Sequence, residues 1–89
     1  MTEHKELSVW LVQIERFLRQ GAYLDAIARA KRVVEEARAA LENDPNDIQA
    51  SQLLALGRER LSFATKAFEA KNEAVSAHRL RDLRAASER

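Results

Sequence analysis

Residues Gly21–Asp47 read GAYLDAIARAKRVVEEARAALENDPND, and the spacing within this stretch sets the architecture of the whole chain. Tyr23, Ala26, Ile27, Ala30, Val33, Val34, Ala37, Ala40 and Leu41 recur at intervals of three and four, the spacing that puts residues on one face of an α-helix. Asp25, Arg29, Lys31, Arg32, Glu35, Glu36 and Glu42 fall on the opposite, water-facing side. The alanines on the inner face favour helix intrinsically, and their small side chains let neighbouring helices approach closely. At the far end, Asp44-Pro45-Asn46-Asp47 stops one helix and starts another. Pro45 cannot continue a helix but fits the first turn of a new one. The expectation is that Asp44 caps this new helix, with the Asp47 carboxylate also meeting its positive end.

The segments on either side pack against this helix. Leu7, Trp10, Leu11, Ile14, Phe17 and Leu18 share a face of a first helix, predicted over residues 7–19 and ended by Gly21. Val9 and Val12 fall off that face and read as single exposed valines, which carry no meaning by themselves. A connection this short folds the first two helices, 7–19 and 22–42, into an antiparallel hairpin. The third helix is predicted over 45–77 and carries two adjacent apolar stripes. Leu54, Gly57, Leu61, Ala64, Phe68 and Val75 form one; Leu53, Leu56, Phe63, Ala67, Ala70, Ala74 and Ala77 form the other. The fold class is therefore all-α, an antiparallel three-helix bundle with a long third helix. In one reading each stripe faces one arm of the hairpin. In the other, part of the second stripe, with Phe63 as its largest side chain, forms a groove wall for a partner helix.

Length points to surplus helix. At 1.5 Å per residue the first two helices span about 20 and 31 Å, whereas an unbroken third helix exceeds about 50 Å. The tail, residues 78–89, must fray, fold back or meet another chain. Leu80 and Leu83, three residues apart and off both stripes, make a small apolar seam for self-association.

The composition narrows the function classes. With 89 residues the chain is one domain, and 46% hydrophobic residues against 2 glycines and 1 proline describe a folded helical chain, not a disordered one. Fifteen basic and 14 acidic residues leave a net charge of +1, so no global field draws nucleic acid or a membrane surface. The basic residues of the third helix, Arg58, Arg60, Lys66, Lys71, Arg79, Arg81 and Arg84, point in several directions and alternate with acids, unlike a groove-reading stripe. The absence of cysteine rules out disulfides and thiolate metal sites. His4 has no histidine or carboxylate at helical ligand spacing, His78 has only Asp82, too few ligands for a metal site, and no glycine-rich phosphate loop exists. No enzyme, metal or cofactor is expected. The opening residues do not read as a signal peptide, and no segment approaches the length of apolar sequence needed to span a bilayer, so a cytoplasmic location is the expectation.

Gly21-Ala22-Tyr23, followed by Ala26-Ile27 and later by Asp44-Pro45-Asn46, resembles a tetratricopeptide repeat. The Gly-to-Pro segment is about two turns too long for that repeat of about 34 residues, and no second copy follows. In its lengthened form the pattern is similar to the microtubule-interacting and trafficking domain, over about residues 7–70. That resemblance implies a three-helix bundle that binds short amphipathic helices in grooves beside its third helix. It places the partner-binding residues at Leu53, Leu56, Arg60, Phe63, Ala67 and Ala70. The Ala/Arg-rich composition equally suits a small secretion or export chaperone. The expected partner is thus an amphipathic helix of another protein, or, in a structural homo-oligomer, the chain itself.

Overall fold

The computed structural model describes the backbone of residues 4–87 and the side chains of residues 4–73. It consists of α1 (Lys5–Arg19), α2 (Tyr23–Asn43) and α3 (Ile48–Ser87), with no strand among the described residues. The all-α three-helix bundle with a long third helix is therefore as expected. The third helix has 40 residues and runs past Ala77 to Ser87. The side chains of Leu80 and Leu83, expected to form an apolar seam, lie outside the described residues.

The first connection is set by glycine. Gly21 has φ +75°, a left-handed conformation that costs a residue with a Cβ steric energy. Around it the Ala22 N–H donates to the Phe17 carbonyl at 2.8 Å and the Gly21 N–H to the Leu18 carbonyl at 3.2 Å. These two bonds make a Schellman motif, which satisfies the last carbonyls of α1 and reverses the chain at once.

The second connection differs from its expected form. Asp44 does not cap α3. It is extended (φ −142°, ψ 93°), as the residue before a proline tends to be. Its carbonyl accepts the Asp47 N–H at 3.1 Å, closing a β-turn with Pro45 at the second position. The Asp44 carboxylate accepts the Asn46 N–H at 3.1 Å and tightens that turn. Asp47 is the cap: its Oδ1 accepts the Ala50 N–H at 3.0 Å, three residues into the new helix. Pro45 thus serves the turn, and α3 starts at Ile48.

The core is built on α2. Ala26, Ala30, Val33, Val34 and Ala37 are all buried. One cluster joins Ile14, Ala26, Ala30, Val33 and Ala64, with Trp10, Leu11, Phe17, Leu18, Ile27 and Leu61 packed around it. A second joins Leu7, Ala37 and Leu53, with Trp10, Leu11 and Leu54 beside it. Gly57 marks the close crossing of α2 and α3. A Cβ placed there would come within 3.0 Å of Val33 Cγ1 and 3.1 Å of Val34 Cγ2, so the two helices approach as near as a missing side chain permits.

The packing is unequal. Both α1 and α3 lie extensively against α2, while α1 and α3 meet at few points. On α3 the buried residues are Ala50, Leu53, Gly57 and Ala64, with Leu54, Leu61 and Phe68 half-buried. The described residues of the first stripe, Leu54 to Phe68, therefore face the core, joined by Leu53 from the second. Of the rest of the second stripe, Leu56, Phe63 and Ala70 are exposed and Ala67 is half-buried, while the side chains of Ala74 and Ala77 lie outside the described residues.

Candidate functional site

Six large apolar side chains stand exposed among the described residues: Val9 and Val12 on α1, Leu24 on α2, and Ile48, Leu56 and Phe63 on α3. Phe63 is 57% exposed, Val12 59% and Leu56 42%. Each follows from helical geometry. Val12 lies two residues from the inward Ile14 and so points away from the core. Leu56 and Phe63 are seven residues apart on α3, two turns along one face and about 10 Å apart at 1.5 Å per residue.

Leu11, Val12, Glu15, Leu56 and Arg60 line a shallow depression of about 150 Å³ between α1 and α3. Arg60 Nη2 donates to Glu15 Oε1 at 2.6 Å across it, with both side chains still partly exposed. This bridge links α1 to α3 across the depression. At the foot of the same pair of helices, His4 Nε2 lies 2.7 Å from Asp47 Oδ2. That hydrogen bond, chiefly, holds the Asp47 carboxyl below the usual carboxylate range. The Ala50 N–H and the His4 charge assist, and partial burial opposes them.

The residues expected at the partner site separate here. Leu53 is only 5% exposed and packs with Leu7 and Ala37, so it belongs to the core and offers nothing to a partner. Leu56 and Arg60 line the depression, Phe63 stands exposed on their face, Ala67 is half-buried and Ala70 exposed. Arg60 is already engaged by Glu15. The α1 wall, Leu11, Val12 and Glu15, has no counterpart in the expected set. Its signal is present in the sequence as Val9 and Val12, two valines off the inward face of one short helix. Read one at a time they carry nothing, and only the neighbouring Leu56 and Phe63 make them a surface.

A larger depression, about 380 Å³, lies between the start of α1 and the end of α2. It is lined by His4, Lys5, Glu6, Leu7, Trp10, Glu36, Ala39, Ala40 and Asn43. Volume favours it, but its wall is largely charged or amide and none of the exposed large apolar residues stands in it. On the far side of α1 the Arg29 guanidinium covers Trp10, 5.5 Å from the ring centre. Apolar anchors decide helix docking, and Val12, Leu56 and Phe63 bring three of them to the α1–α3 face.

Among the described residues no three His, Cys, Asp or Glu side chains are placed to hold a metal ion, and no helix is long and apolar enough to cross a membrane. No protein-family model, curated protein or solved structure matches the chain.

Proposed function

We propose that this chain is a non-enzymatic protein-interaction module that receives an amphipathic helix on the α1–α3 face. The observation that carries this reading is the exposure of Phe63 on the same face as Leu56 and Val12. Burying a phenylalanine contributes about 1.5–3 kcal/mol, and leaving one in water forgoes it. Leu56 and Phe63, two turns apart, have the spacing at which a partner helix presents its own i and i+7 anchors. The likeness of the Gly21–Asn46 pattern to the microtubule-interacting and trafficking domain supports the same class of function.

The test is a selection from a displayed library of amphipathic helical peptides on the full chain, with the Phe63→Ser chain as counter-target. Peptides that bind the parent and lose tenfold or more on Phe63→Ser are the expected result. A selection whose binders all ignore Phe63 rejects the reading.

A second reading rests on a separate observation, the continuation of α3 to Ser87. The last described features tying α3 to the hairpin are Lys71, whose ammonium sits 5.6 Å from the Tyr23 ring centre, and Asn72 beside it. Residues 73–87 extend the helix by about 22 Å. In this reading that surplus helix pairs with its copy in a structural homo-oligomer.

A further inference from the structure

We infer that the helix received on the α1–α3 face is acidic along the flank that lies against the C-terminal end of α1, an inference that rests on the docking reading above. The Glu15–Arg60 bridge sets the register between the two helices, with α1 residue numbers lying beside α3 numbers about 45 higher. Arg19 thereby falls level with the turn that holds Phe63 and Lys66, and Arg16 with the turn below it. By helical spacing Arg16 and Arg19 follow Val12 up the outward side of α1, while Lys66 follows Phe63 by three residues on α3.

All three basic residues are exposed, and none has an ion-pair partner among the described residues. The exposed carboxylates along the α3 edge are Glu59, on the other side of Phe63 in sequence, and Glu69, one turn beyond Lys66. Glu15 is occupied by Arg60. The apolar anchors therefore have a rim of three unpaired cations against two exposed carboxylates, both on the α3 side, so the α1 side of the rim is the more positive. Arg16 and Arg19 have a local explanation, since cations in a last turn complement the helix dipole. Lys66 lies in the middle of α3, away from either helix end, with Glu69 one turn on, so the α1 pair carries the charge argument. Two cations on one wall and one on the other, on either side of an apolar seam, match a helix with Asp or Glu beside its apolar stripe.

The library selection tests this when its flank positions are randomised and the same library is run on the full chain carrying Arg16→Glu, Arg19→Glu and Lys66→Glu. All three sites are exposed, so the variant keeps its fold, which circular dichroism checks. The expected result is enrichment of Asp and Glu at the flanks of Phe63-dependent binders. Those binders should weaken about tenfold on the charge-reversed chain, by less at high salt, which is the scale of three exposed ion pairs. Phe63-dependent binders with no acidic bias, or with unchanged affinity for the charge-reversed chain, overturn the charge inference and leave the docking face standing. Binders that ignore Phe63 overturn the docking face as well. Sedimentation of the parent chain supplies the remaining outcome. A dimer that Phe63→Ser converts to a monomer assigns the face to a second copy and overturns an acidic partner helix.

Discussion

Gly57 sits where α2 and α3 are closest, and two opposed effects act on it. Replacing glycine by alanine inside a helix ordinarily stabilises by about 1 kcal/mol. Here the added methyl meets Val33 and Val34 at about van der Waals overlap, and Val33 is fully enclosed with a stiff β-branched side chain. The clash outweighs the propensity, so Gly57→Ala lowers the melting temperature, and Val33→Ala added to it costs less than Val33→Ala alone. Additive melting temperatures in that cycle would show that the crossing is not tight. Asp47 is the other residue whose environment makes a forecast. Its folded-state carboxyl titrates below its unfolded value, so its charge adds stability above the unfolded value of about 3.9 and loses that contribution as pH falls through the folded value. Asp47→Asn keeps a side chain able to cap α3 but removes the charge facing His4. It should melt below the parent at neutral pH, and the gap should close as pH falls through the lowered folded value. A gap independent of pH would assign the loss to something other than the carboxylate.

At the scale of the helix, α2 is the element most nearly decided by its own sequence. Its small inward residues, Ala26, Ala30 and Ala37, are all fully enclosed, because α2 is the helix with a neighbour on both sides. Ala30→Leu would add three carbons where there is no space and cost about 1–3 kcal/mol, a fall of roughly 4 °C or more for a domain this size. An unchanged melt would mean that α2 turns a different face inward. The turn after α1 was equally legible, because a left-handed turn needs Gly21 at that position. The turn before α3 was legible as a stop but not in its detail. Asp44 and Asp47 both have the chemistry of a cap, and the choice fell on Asp47 once Pro45 was used by the β-turn. The division of α3 into a covered and an open stripe was the least legible feature. Periodicity says which residues share a face, and it does not say which neighbour covers that face. Leu53 went inward because Leu7 and Ala37 converge on it, while Leu56, three residues on, faced the gap that α1 leaves.

For the molecule as a whole, the governing feature is that α2 is shared by two helices that scarcely share each other. That arrangement leaves an apolar face between α1 and α3, and α3 continues to Ser87. Arg79 lies about 12 Å along the helix axis beyond Lys71, the residue that rests on Tyr23. Removing residues 79–89 should therefore leave the melting temperature of a monomer almost unchanged, whereas in a self-associating chain it should lower the melt in a concentration-dependent way. A large loss independent of concentration would contradict both readings of α3. The central claim is the docking face, and amide-resolved NMR of the full chain titrated with a Phe63-dependent peptide tests it most directly. The predicted result is a set of shift changes centred on Leu11, Val12, Leu56, Arg60 and Phe63. Changes centred instead on Trp10, Glu36, Ala39 and Asn43, between α1 and α2, would contradict it.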